Sequence, residues 1–100
     1  MPSKLYTLWL NEITYMVVDF ESLDGEILAF VVRLVHIAGG EHRDVARYDT
    51  AHGRPHCDLL TRQGRLRRKR WLKNLNFNQA LTYAIEDFKA NHEAYLQAQG

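Results

Sequence analysis

The chain has 100 residues, is 46% hydrophobic and 25% charged, and carries a formal net charge of +1. That length gives one domain, 1–100, and that composition excludes a disordered chain. A single cysteine, Cys57, excludes an internal disulfide and suits a reducing compartment. The longest apolar stretch, 27–37, is too short to span a bilayer and is broken by Arg33 and His36. No signal-peptide pattern precedes it, so a cytoplasmic protein with no membrane partner is expected.

Residues 5–10 are apolar and aromatic and read as a first strand or a lead-in. Residues 13–20 are rich in β-branched and aromatic residues, as strands are. Asp24-Gly25 supplies the positive φ of a tight hairpin. Residues 26–37 are almost wholly apolar and read as a central strand covered on both faces, ended by Gly39-Gly40. Residues 43–50 alternate, with Val45, Arg47 and Asp49 on one side and Asp44, Ala46 and Tyr48 on the other. A turn at His52-Gly53-Arg54-Pro55 leads to a further strand over 56–61. The basic stretch that follows, to Lys73, reads either as a phosphate-contacting segment with Trp71 free to stack or as a solvated linker that Trp71 and Leu72 anchor to the core, the core position being favoured for Trp71. Asn76, followed by Gln79, forms the capping box of a helix. Phe77, Leu81, Ala84, Ile85, Phe88 and Tyr95 give that helix an apolar stripe. The fold class is therefore α+β: an antiparallel sheet of four to five strands under one long C-terminal amphipathic helix.

Charge is unevenly distributed. Residues 1–26 set Lys4 against Glu12, Asp19, Glu21, Asp24 and Glu26. Residues 54–73 set Arg54, Arg62, Arg65, Arg67, Arg68, Lys69, Arg70 and Lys73 against Asp58 alone. Such a polarised field draws RNA or an acidic partner towards one side.

Just before the basic run, residues 42–58 concentrate histidine, arginine and aspartate around one turn. Cleavage of RNA through its 2′-hydroxyl needs a base, an acid and a cation for the phosphate. His52 and His56 suit proton exchange, Tyr48 positioning, and Asp49 the orientation of a histidine. Arg47, Arg54, Arg65, Arg67, Arg68, Lys69 and Arg70 suit phosphate contacts. The structural alternative is a hydrogen-bonded network in which Asp49 caps the turn and an Arg–Asp pair ties two strands together. Zinc could draw on His52, His56, Cys57 and Asp58. However, Gly53 and Pro55 oppose a helix, and adjacent Cys57 and Asp58 would point apart in a strand, so no metal or other cofactor is expected. Cys57 beside His56 is no better placed as a nucleophile.

Arg47-Tyr48-Asp49, His52-Gly53, His56, Asp58, Gly64-Arg65, Trp71-Leu72 and the helix closing near Tyr95 resemble an uncharacterised prokaryotic family with an RYDxxHGxxHxD-like pattern. That pattern is distantly similar to the TumE-like toxins of toxin–antitoxin loci. The resemblance spans residues 28–97 and carries no catalytic assignment. It implies a metal-independent, ribonuclease-type toxin, with RNA as target and a cognate antitoxin as partner. The competing expectation is a non-enzymatic nucleic-acid-binding or protein-interaction subunit of a larger complex.

Overall fold

The computed structural model describes residues 2–99. Strands β1 (Ser3–Asn11), β2 (Thr14–Leu23), β3 (Glu26–Ala38), β4 (Glu41–Asp49), β5 (His56–Leu60) and β6 (Leu66–Trp71) precede the helix α1 (Phe77–Ala98). The strands form one antiparallel sheet in chain order. Two hairpins rest on residues that accept left-handed backbone: Asp24-Gly25 at φ 50° and 80°, and Gly39-Gly40 at φ 59° and 79°.

One face of this sheet is apolar. Met16, Val18, Phe30, Val32, Leu34, Ala46, Tyr48, Cys57 and Leu59 are buried there beneath Ala80, Leu81, Ala84 and Phe88 of α1. Burial contributes about 1.5–3 kcal/mol for each large apolar side chain. The helix starts where the sequence places it. Asn76 Oδ1 accepts from the Gln79 amide at 2.8 Å, and Gln79 Oε1 accepts from the Asn76 amide at 3.0 Å. Asn78 clamps this end to the β2–β3 turn, accepting from Ile27 N at 2.8 Å and donating to Gly25 O at 2.9 Å. At the far end Gln99 donates to Leu60 O at 2.9 Å. The helix thus covers one face from the β2–β3 turn to the end of β5, and the other face stays open.

The α+β class holds, with four corrections. The sheet has six strands, because the basic stretch is the edge strand β6 and not a linker. The central strand β3 is covered by the helix on one face; on the other, Val31 and Arg33 are half-buried and Val35 is fully buried. Its apolar run is long because Val31 and Val35 interleave with the core positions. Trp71 is 39% exposed and is not a core anchor. Lastly, Leu34 pairs with Ala46 while Val35 pairs with Asp44, so Val45 is an extra residue in β4. This bulge brings Asp44 to the open face, where it bonds Arg33 at 2.8 Å. Among the described residues no helix is long and apolar enough to cross a membrane.

Candidate functional site

The neighbouring strands β4, β5 and β6 each contribute one polar tripeptide: Arg47-Tyr48-Asp49, His56-Cys57-Asp58 and Lys69-Arg70-Trp71. Their register lines them up in columns. Arg47 pairs with Asp58 and Asp58 with Lys69; Tyr48 pairs with Cys57 and Cys57 with Arg70; Asp49 pairs with His56 and His56 with Trp71. Side chains alternate along a strand, so the outer columns meet on the open face and the middle column meets under the helix.

On the open face, Arg47 Nε donates to Asp49 Oδ2 at 3.1 Å and its Nη2 donates to Asp58 Oδ2 at 3.2 Å. Lys69 Nζ stands 3.4 Å from Asp58 Oδ1. His56 is 1% exposed. Its Nδ1 lies 3.0 Å from the carbonyl oxygen of Arg54, which can only accept, so Nδ1 carries the hydrogen. Nε2 then faces Asp49 Oδ1 at 2.9 Å and Asp58 Oδ2 at 3.7 Å. Asp49 Oδ1 also accepts from Ala51 N at 2.9 Å and so fixes the turn after β4. Trp71 closes one side, its ring 5.1 Å from that of His56, with Arg54 and Lys69 over it at 4.9 and 5.4 Å.

Under the helix the middle column meets α1. Tyr48 donates to Asp87 Oδ2 at 2.6 Å, and Tyr95 donates to the same oxygen. Arg70 Nη2 donates to both phenolic oxygens at 2.9 Å. Asn91 satisfies Asp87 Oδ1 at 2.8 Å. Burial, reinforced by the bonds to Asp87, raises both tyrosines above the ordinary phenol range. Burial also pushes the Cys57 thiol up to about 11. None of these groups is poised as a nucleophile near neutral pH, since each is held in its protonated form.

The chain belongs to the family described as "Domain of unknown function (DUF7718)", whose model matches residues 1–98. No curated protein and no solved structure matches it.

In this DUF7718 chain the residues proposed from sequence do not form one constellation. The register joins Arg47, Asp49, His56 and Asp58. Tyr48 is fully buried on the opposite face. His52 sits exposed at φ 65° in the short 3-10 turn Ala51–Gly53, and its side chain makes no hydrogen bond among the described residues. His42 is distant in register and meets Tyr15, whose hydroxyl is 2.7 Å from its Nδ1. The basic residues also divide. Arg47, Lys69 and Arg70 are engaged with carboxylates, and Arg54 lies on Trp71. Arg62, Arg65, Arg67 and Arg68 are exposed and have no acidic partner among the described residues. Sequence reasoning missed Asp87. Its signal is the spacing Asp87, Asn91, Tyr95, a polar edge running beside the apolar stripe at helical period.

Proposed function

We propose that this protein binds nucleic acid through phosphate contacts along the β5–β6 hairpin, as a binding module and not as an acid–base ribonuclease. One observation carries this reading. Arg62, Arg65, Arg67 and Arg68 are exposed on one hairpin and have no acidic partner among the described residues, whereas Arg47 on β4 and Lys69 further along β6 are taken up by the buried Asp58. Arg62 and Arg43 also border a concavity of about 790 Å3 at that end of the open face. Free guanidinium groups on an exposed edge attract phosphate without sequence preference.

The cleavage reading needs an acid and a base that reach one phosphodiester. His56 is buried with both ring nitrogens facing protein oxygens, Tyr48 lies beneath the helix, and His52 stands outside the cluster. The resemblance to TumE-like toxins supports nucleic acid as the target class, and an antitoxin would be a natural competitor for the same arginines.

The test is fluorescence anisotropy with labelled single-stranded RNA and DNA over a salt series. Affinity should fall steeply with salt, with a slope of about 0.7 per phosphate contact. Arg67→Glu with Arg68→Glu should weaken binding at least tenfold while the unfolding midpoint stays put. Binding that ignores salt or survives the double reversal defeats the proposal. Growth arrest on expression that requires both His52 and His56 would restore the ribonuclease.

A further inference from the structure

The open-face cluster holds three acceptor atoms in an unusual relation. Donation from His56 Nδ1 to the Arg54 carbonyl directs Nε2 towards Asp49 and Asp58. The ligand atoms of all three side chains lie within 4.8 Å of one another, and all three residues are buried. Arg47 answers the two aspartates from one side, at Asp49 Oδ2 and Asp58 Oδ2, but Nε2 and Asp49 Oδ1 still face each other. Lone pairs so close repel unless a hydrogen on Nε2 or a metal cation lies between them.

The surroundings favour a cation site. A ring N–H donated to a backbone carbonyl is the usual way a metal-binding histidine is oriented. The 2.9 and 3.7 Å separations of Nε2 from the aspartates approximate the edges of a coordination shell. Ligands about 2.1 Å from an ion stand roughly 3.0–3.4 Å apart in such a shell. Asp58 Oδ1 is buried without a hydrogen bond among the described residues, Lys69 Nζ being 3.4 Å away, so it has capacity to spare. There is also a route in. The 790 Å3 concavity reaches Asp58, a second of about 530 Å3 reaches Asp49, and Arg47 borders both.

We propose that Asp49, His56 and Asp58 form a site for one divalent first-row transition metal, Zn2+ or Mn2+. An imidazole with two carboxylates suits these ions and leaves positions for water. Sequence reasoning sought zinc ligands in His52 and Cys57. The strand register supplies Asp49 instead and turns Cys57 to the other face. The ion takes the place of the Nε2 hydrogen and competes with Lys69, whose part-exposed chain can swing into solvent.

Chelator-treated protein should be titrated calorimetrically with Zn2+ and with Mn2+, and Co2+ binding followed by visible absorption. One-to-one saturable binding by Zn2+ or Mn2+, with Co2+ bands, is expected. Asp58→Asn and His56→Gln should each weaken binding at least tenfold, with circular dichroism confirming the fold. Lys69→Met keeps every ligand and removes one of two competing charges, Arg47 being the other, so it should tighten binding about tenfold. The proposal is overturned if neither Zn2+ nor Mn2+ saturates a single site. It is equally overturned if binding survives Asp58→Asn, which would place the ion on surface histidines, or if Lys69→Met leaves affinity unchanged.

Discussion

The same three strands build two polar clusters that differ in kind. On the open face, Arg47, Asp49, His56, Asp58 and Lys69 form an ionic cluster bordered by concavities. Under the helix, Tyr48, Tyr95 and Asp87 form a hydroxyl–carboxylate cluster capped by Arg70. On the open face carboxylates are met mainly by cations that keep a path to water, Arg47 and Lys69. Under α1 the Asp87 carboxylate is met first by two hydroxyls, with the part-exposed Arg70 behind them. A motif contiguous in sequence is thus two sites in space, divided by the thickness of one sheet. Mutations within one cluster should couple, and mutations across the sheet should not.

The largest effect should come from Asp58→Ala. It removes the carboxylate shared by Arg47 and Lys69 and leaves the buried His56 with Asp49 alone. Breaking a buried ion cluster by removing one partner costs about 3–5 kcal/mol. Because Arg47 and Lys69 are more than a quarter exposed and can rehydrate, a loss of about 3 kcal/mol in urea unfolding is expected. A loss below about 1 kcal/mol would mean that the open-face charges are not mutually dependent.

Next is Asp87→Ala, which leaves two tyrosine hydroxyls without the acceptor they share; about 2 kcal/mol is expected. Combined with Asp58→Ala it should be additive to within about 0.5 kcal/mol, as the clusters share no partner. Combined with Tyr48→Phe it should depart from additivity by about 1 kcal/mol, since Tyr48 bonds Asp87 directly. Coupling across the sheet equal to coupling within a cluster would erase the distinction between the two sites.

The sealed cluster also predicts behaviour in alkali. Tyr48 and Tyr95 have raised folded-state values, from burial first and the Asp87 bonds second. Their contribution is therefore fully present below the ordinary phenol value near pH 10. It declines as the pH rises above it, because the unfolded chain ionises before the folded one. The slope is at most about 1.4 kcal/mol per pH unit for each tyrosine. Stability measured at intervals up to pH 12 should be level and then fall, and Tyr48→Phe should make that fall shallower. Cys57, pushed up to about 11 and buried, should resist thiol reagents at pH 8 until the protein unfolds. Rapid labelling of native protein would show that the helix does not seal this face.

How much of this was legible in the sequence follows from which residues carry a periodic signal. The helix was legible because Asn76 and Gln79 cap it and its stripe recurs at helical spacing. Strands β2 to β5 were legible from β-branched and apolar runs, from the alternation of 43–50 and from turn residues. Strand β6 was not, because an edge strand with five exposed or half-exposed cations and aromatics in succession buries no face that would alternate. The two-faced division of Arg47-Tyr48-Asp49 was legible from period two alone. The partners were not: Asp87 and Tyr95 reach Tyr48 across 39 and 47 positions, and only tertiary packing sets that contact. The bulge at Val45 hid the face of Asp44 for a related reason, since one extra residue inverts every side chain beyond it.

The smallest effect should fall on the residue that the motif makes most conspicuous. His52 has the spacing of a catalytic partner for His56, yet its backbone sits at φ 65° on an exposed turn. The turn is held by Asp49, whose Oδ1 takes the Ala51 amide, and by the Gly53 amide bonding to Thr50 O at 3.0 Å. Neither bond involves the imidazole. His52→Ala should therefore change stability by no more than about 0.5 kcal/mol, as exposed substitutions usually do. It should also leave metal affinity and nucleic-acid affinity within twofold of the parent. His56→Ala, four residues on, should cost several times more, because it empties a fully buried position and strips Asp49 of a partner. Equal effects from the two histidines would mean that they act together, and that the turn moves to bring His52 over the open face.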